Sequence, residues 1–268
     1  MIKVNGVEIS PEKFPDGTYK LKLQRFGEDH FCVTWLYDGE HELPTLIYIA
    51  SHLRNYGCRE MILYMPYIPN ARMDRVKDKS EVFTLKYFAD IINGLFFDKV
   101  FVLDPHSNVA TALIDRVYVV QPKEYIKRAI RDTMQNDLMM VYPDEGAMKR
   151  YSGMIRAPYL FGIKKRDWET GNIEVLSIVG NKPDDMKSAL ICDDICSRGG
   201  TFYYTAKALQ TMGFENIYLY VTHCENTILS GDLIDSGLLK GIFTTSSIFR
   251  KEHPLITTYS MEDYIYGD

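Results

Sequence analysis

The densest run of residues able to do chemistry is Cys192-Asp193-Asp194-Ile195-Cys196-Ser197-Arg198-Gly199-Gly200-Thr201, between the apolar run Ala189–Cys192 and a helix-period stretch. At such a junction the amides of the loop and of the first helical turn point at an anion. Glycines let the backbone approach a phosphate, and the Thr201 hydroxyl adds a donor. The two carboxylates can accept hydrogen bonds from sugar hydroxyls or hold the water shell of a metal. The expectation is a strand–loop–helix over Ala189–Phe202 that grips a ribose phosphate. Taken alone, these residues suit a polar strand end with a helix cap better than a ligand site.

Four further segments follow the same logic. Asp104-Pro105-His106-Ser107 follows the apolar run Lys99–Leu103, where His106 can ligate Mg²⁺ or meet a phosphate, or serve as a structural histidine. Pro143-Asp144-Glu145-Gly146 follows Leu138–Tyr142; Asp144 can meet a cation whose other ligands are substrate phosphates and water, or simply form a turn. Lys164-Lys165-Arg166, followed by the polar stretch Asp167–Asn172, can close as a mobile loop over a polyphosphate, or be a solvated charge run. Pro66–Arg75 carries Arg72 and Arg75, whose guanidinium groups can fork onto phosphates.

The elements that must position these segments are short apolar runs alternating with helix-period stretches. Strands are expected at Met61–Met65, Lys99–Leu103, Leu138–Tyr142, Ala189–Cys192 and Ile217–Val221, and helices at Leu43–Tyr56, Leu85–Phe96, Pro122–Asn136 and Thr201–Met212. Such runs argue for an α/β protein with mainly parallel sheets covered on both faces. Strand–helix–strand occurs twice, each helix ending near a glycine, Gly94 or Gly213. Two halves, residues 1–121 and 122–268, fit the length better than one continuous sheet, with Gln121-Pro122 a plausible hinge.

The bulk properties exclude several classes. With 268 residues and a formal net charge of −5, the chain has no global basic field to hold nucleic acid. It shows neither a secretory signal nor a membrane-length apolar run. Its five scattered cysteines form no C-x-x-C, so neither a disulfide framework nor a zinc site is expected, and a cytoplasmic chain with reduced thiols is the simplest reading.

In order, the five segments resemble ribose-phosphate pyrophosphokinase, also called PRPP synthetase. Pro66–Arg75 resembles the family's P-Y-x-x-Y-A-R-Q-D-R, Asp104–Ser107 its D-L-H-A, Pro143–Gly146 its P-D-x-G, Ile163–Arg166 its D-K-R-R, and Asp193–Thr201 its D-D-x-x-D-T-x-G-T. Ile178–Asn181, Tyr220–His223 and Thr245–Ile248 also fall in family order. The resemblance implies two type I phosphoribosyltransferase-like domains, the first on the ATP side and the second on the ribose-phosphate side. It implies Mg²⁺-dependent transfer of the β,γ-diphosphoryl group of ATP to the 1-hydroxyl of ribose 5-phosphate. By position, His106 and Asp144 would meet Mg²⁺–ATP, and Arg72, Asp74 and Arg75 the nucleotide. Lys164 and Arg166 would be the catalytic-loop cations, and His106 a further catalytic residue. Asp193 and Asp194 would hold the ribose hydroxyls, and Ser197, Arg198, Gly199, Gly200 and Thr201 the 5-phosphate. Phe14 and Asp16 resemble residues of F-S-D-G-E that reach the adenine of a neighbouring subunit, which implies a homo-oligomer, a dimer or hexamer.

The chain departs from the family pattern at Met73 for Gln, Thr18 for Glu, and Ser197-Arg198 for D-T. The last change removes a carboxylate and adds a guanidinium where a lone 5-phosphate would lie. It opens a variant in which the acceptor is ADP-ribose and the product ADP-ribose pyrophosphate, as in a phage NAD-salvage enzyme of the superfamily. A phosphoribosyltransferase, or a non-catalytic subunit on the same fold, is a further alternative that the retained Lys164, Arg166 and His106 oppose.

Overall fold

Each expected apolar run becomes a buried strand in the computed structural model, which describes residues 1–23, 29–166 and 173–261. The chain divides into two compact units, Met1–Gln121 and Pro122–Asp268.

The first unit contains β1 (Ile2–Val4), β2 (Val7–Ile9), β3 (Glu12–Lys13), β4 (Tyr19–Lys20), β5 (His30–Trp35), α1 (Leu43–Asn55), β6 (Glu60–Tyr64), α2 (Thr84–Gly94), β7 (Lys99–Leu103), α3 (Asn108–Leu113) and β8 (Val117–Val120). Its main sheet runs β2-β1-β5-β6-β7-β8, with β5 to β8 parallel and β1 antiparallel to both neighbours. The β1–β2 hairpin turns on Asn5-Gly6, both at positive φ, as the favoured two-residue hairpin turn demands. Because β5, β6, β7 and β8 advance across the sheet in one direction, right-handed crossovers place α1, α2 and α3 on one face. There Leu46, Ile49, Phe88, Ile92 and Ala110 pack on Val33, Met61, Leu63, Val100 and Val102. The other face carries Tyr64, Phe101 and Tyr118 in register across three strands, stacked at 4.8 and 5.2 Å.

The second unit contains α4 (Lys123–Asp132), β9 (Met139–Tyr142), α5 (Glu145–Tyr151), β10 (Tyr159–Arg166), β11 (Ile173–Val179), β12 (Ser188–Cys196), α6 (Gly200–Thr211), β13 (Asn216–Cys224), α7 (Asp232–Asp235), β14 (Gly241–Thr245) and β15 (Ile256–Tyr259). The order is β11-β10-β9-β12-β13-β14-β15, parallel except for β11. Successive side chains of a strand face opposite ways. Ala189 and Ile191 accordingly join Phe202, Ala206 and Leu209 of α6 in one core. Leu190 and Cys192 join Ile126 of α4 and Tyr151 of α5 in another. Cover on both faces is thus met in the second unit, whereas the first gathers its helices on one side.

Four sequence expectations need correction. β12 does not stop at Cys192 but continues through both aspartates to Cys196, because its pairing with β13 persists through Asp193↔Val221, Ile195↔His223 and Cys196↔Cys224. α4 is shorter than Pro122–Asn136: Pro122 caps its start and Met134, at φ 55°, lies beyond its end. The strand expected over Ile217–Val221 is longer, running Asn216–Cys224, whereas α2 ends at Gly94 as expected. The basic segment Lys164–Arg166, expected on a mobile loop, is the end of β10, paired antiparallel with β11. The polar stretch 167–172 lies outside the described residues.

Candidate active site

In the second unit the connection from β9 through α5 leads to β10 on one side, while β12 leads through α6 to β13 on the other. The strand order therefore reverses between β9 and β12, which are hydrogen-bonded neighbours. In open α/β sheets ligands bind outside the carboxyl ends of strands at such a reversal. The segments that leave those two ends are Pro143–Gly146 and Ser197–Thr201, so two of the five motif segments follow neighbouring strands at this reversal.

Asp144 is half-buried and caps α5, its Oδ1 accepting the Ala147 amide at 3.0 Å. Such a cap is worth about 1 kcal/mol, so the turn expected here is a helix start. Asp193 and Asp194, adjacent on one strand, do not form a single paired face. Asp194 is 5% exposed and its Oδ2 accepts from Arg150 Nη1 of α5 at 2.9 Å, while Oδ1 accepts the Ile195 amide at 2.8 Å. Asp193 is half-buried on the α6 side and accepts the Asp194 amide at 2.9 Å.

The loop itself is tightly braced. Gly199 precedes α6 at φ 82°, a backbone that favours glycine, and a Cβ there would lie 2.7 Å from Leu233. A Cβ on Gly231 would lie 1.9 Å from the Arg198 carbonyl oxygen, so only glycine lets the Arg198 backbone sit where it does. Arg198 is exposed and Ser197 half-buried. Ser197 Oγ donates to Glu225 Oε2 at 2.7 Å, and Thr227 Oγ1 donates to the same oxygen at 3.1 Å. Sequence reasoning missed Glu225. Its signal was positional: it follows β13 as Ser197 follows β12, and Cys196 and Cys224 are register partners. The thiol of Cys196 is pushed well up, first by its bond to Cys224 and then by burial, with the Glu225 and Asp193 charges adding to it.

In the first unit the segments Pro66–Arg75 and Asp104–Ser107 leave the adjacent parallel strands β6 and β7. They are tied by the Leu103 amide bonding the Pro66 carbonyl at 3.0 Å. Ile68 and Ala71 are buried anchors, whereas Arg72 and Arg75 are exposed, and Arg75 pairs with Asp74 at 3.5 Å. Asp104 is buried at φ 44° and its amide bonds Val120, which turns the chain so that His106 is half-buried at the strand end. Ser107 Oγ is a buried atom with no hydrogen-bond partner among the described residues. Phe14 and Asp16 occupy the turn between β3 and β4. Phe14 is half exposed, and Asp16 accepts the Thr18 hydroxyl at 2.7 Å and its amide at 3.0 Å, which together lower its pKa. Lys164 and Arg166 stand on β10, at register partners Leu176 and Ile173.

The fold built by these loops is shared with the crystal structure of phosphoribosylpyrophosphate synthetase from Mycobacterium smegmatis, at a TM-score of 0.75 and 18% identity over 96% of this chain and 87% of that one. The sequence is similar over most of its length to curated proteins named ribose-phosphate pyrophosphokinase. That of Oceanobacillus iheyensis is 29% identical over 258 residues, 92% of this chain and 79% of the relative. That of Bacillus caldolyticus is 28% identical over 268 residues, 95% and 83%. That of Sulfolobus acidocaldarius is 27% identical over 252 residues, 90% and 85%. Over most of its length the chain is thus similar to proteins named ribose-phosphate pyrophosphokinase. No family model matches it. The resemblance read from five ordered motifs is thus borne out, and so is the α/β architecture of two mainly parallel sheets flanked by helices. Among the described residues no helix is long and apolar enough to cross a membrane.

Proposed function

We propose that this chain is a pyrophosphokinase that transfers the β,γ-diphosphoryl group of ATP to the 1-hydroxyl of a 5-phosphorylated ribose, giving PRPP and AMP when the acceptor is ribose 5-phosphate. The observation that carries the reading is positional: Pro66–Arg75, Asp104–Ser107, Pro143–Gly146 and Ser197–Thr201 each leave the carboxyl end of a parallel strand. Phosphoryl transfer depends on positioned charge more than on a protein nucleophile.

On this reading Arg72, Asp74, Arg75, Phe14 and Asp16 hold the nucleotide, and Lys164 and Arg166 offset the charge that builds on the transferring group. Asp193 meets ribose hydroxyls, while Asp194 fixes the strand end through Arg150. The loop amides of Ser197–Thr201, the Thr201 hydroxyl and Arg198 take the 5-phosphate. His106 in the first unit and Asp144 in the second are each candidate ligands for Mg²⁺, which would supply positive charge to offset that of the polyphosphate when bound. Among the described residues no three His, Cys, Asp or Glu side chains converge on one point. The donor set therefore suits an ion that keeps water and phosphate as its main ligands, as Mg²⁺ does. Asp144 fits this role as a hard carboxylate oxygen donor whose cap bond to the Ala147 amide fixes it at the start of α5.

Incubation with Mg²⁺–ATP and ribose 5-phosphate, followed by AMP release, tests the reading; no AMP above the acceptor-free control refutes this acceptor. A second reading keeps the donor chemistry with ADP-ribose as acceptor. It is favoured by exposed Arg198 in the loop, where a second phosphoryl group would find a guanidinium. AMP release with ADP-ribose and not with ribose 5-phosphate supports it.

A further inference from the structure

Parallel strands in register deliver the residues that follow them side by side. Cys196 and Cys224 are partners, the Glu225 amide bonds the Cys196 carbonyl at 2.8 Å, and Ser197 and Glu225 therefore meet at the sheet edge. Each hydroxyl has one proton to give, and a carboxylate can only accept. Ser197 spends its proton on Glu225 Oε2 at 2.7 Å, the short distance of a charge-assisted bond, and Thr227 spends its own there at 3.1 Å. The two hydroxyl oxygens, 3.3 Å apart, keep only lone pairs for anything bound beside them.

This is the wrong polarity for a phosphate dianion, whose oxygens also only accept. We propose that Glu225 is a specificity-determining residue of the loop. It withholds the Ser197 and Thr227 protons from a bound phosphoryl group, sets a negative charge beside it, and so disfavours a phosphoryl group with two charges. Anion binding is left to the loop amides, Thr201 and Arg198. The rim at Ser197 and Thr227 accepts hydrogen bonds from ligand hydroxyls instead. The inference rests on the reading that Ser197–Thr201 is the phosphate loop. The other charged or titratable groups facing this corner are Asp193 and Cys196 on β12, Cys224 on β13, Arg198 in the loop, and Arg250. The Arg250 guanidinium donates to the carbonyls of Ser246, Ser247 and Phe249, and its amide bonds Asn226.

The test titrates the full chain with inorganic phosphate by calorimetry, without nucleotide or metal, at about pH 8 and about pH 6, which bracket the conversion of phosphate from monoanion to dianion. At the higher pH Glu225→Gln is expected to bind about tenfold tighter than the parent, a gain that fits one removed charge at high effective dielectric. At the lower pH the gap shrinks to less than about threefold. Ser197→Ala changes affinity less than about twofold in the parent, because its proton was not on offer, yet removes part of the gain in the Glu225→Gln background. A residue that only braces the loop would make Glu225→Gln bind equally or more weakly at both pH values, and that result overturns the proposal. So does an equal gap at the two pH values, or no measurable binding by either protein. The AMP-release assay is separate: its failure with the phosphate result intact counts against the proposed reaction and leaves the role of Glu225 standing.

Discussion

Replacing Arg150 by methionine strands a carboxylate. Asp194 is 5% exposed and its main charged partner, 2.9 Å away, is the Arg150 guanidinium, itself 28% exposed on the side chain. Breaking a buried ion pair from one side costs about 3–5 kcal/mol, since the remaining charge keeps its desolvation penalty. Water reaches Arg150, so part of that penalty is relieved, and about 2–3 kcal/mol is expected here. For a domain of this size that lowers Tm by about 6–9 °C. Circular dichroism melts of the parent, Arg150→Met, Asp194→Asn and the double variant form a cycle. The double variant should recover most of the loss, because no charge is left unpaired. The deficit of Arg150→Met should also narrow on acidification, as the stranded carboxylate takes up a proton. A loss below about 0.5 kcal/mol in Arg150→Met, or a double variant no better than the single, refutes the assignment of this pair as the brace of the strand end.

Tyr142 is buried, and its hydroxyl has no hydrogen-bond partner among the described residues. Tyr142→Phe should therefore raise stability by about 1 kcal/mol in a denaturant titration, rather than lower it. Alkaline pH should destabilise the fold: burial raises Cys32 and Tyr142, burial and the Asp132 bond raise Tyr259, and the Cys224 bond and burial raise Cys196. Groups raised in the folded state keep their stabilisation below the unfolded pKa and lose it above, so urea midpoints should fall from about pH 8.5 upward. Gly231→Ala would drive a Cβ into the Arg198 carbonyl and should raise the acceptor KM about tenfold or more, with the ATP KM unchanged, in steady-state kinetics. Lys164→Ala should lower kcat about 10²–10³-fold with the melting curve unaltered.

The strands that carry the site were legible because their cores are continuous apolar runs: Lys99–Leu103 was placed to the residue, and Met139–Tyr142 to within one. The reach of β12 was not. Two aspartates read as a strand end, yet Asp194 stays in the sheet because Arg150, more than forty positions earlier, neutralises it. No local pattern shows such a partner. The Lys164–Arg166 segment was read as a loop for a similar reason, since its strand exists through pairing with Ile173–Val179. Glu225 went unnoticed because its neighbour Ser197 is adjacent only through strand register. The Asn5-Gly6 hairpin was written locally, in two residues that tolerate positive φ, and passed unread.

The β10–β11 ribbon has a thermodynamic consequence. Among the described residues, Tyr159, Leu160 and Phe161 pair with β9, and from Gly162 to Arg166 the strand pairs with β11 alone. A two-stranded ribbon is marginal in water, so this stretch draws its order from its root at β9 and from the packing of α6 against β11. On the proposed reading the positive charge at Lys164 and Arg166 sits on a lightly supported ribbon, and part of the binding energy of a polyanion would be spent in organising it. Affinity and turnover would then be coupled: stiffening the ribbon would tighten polyanion binding while slowing its release.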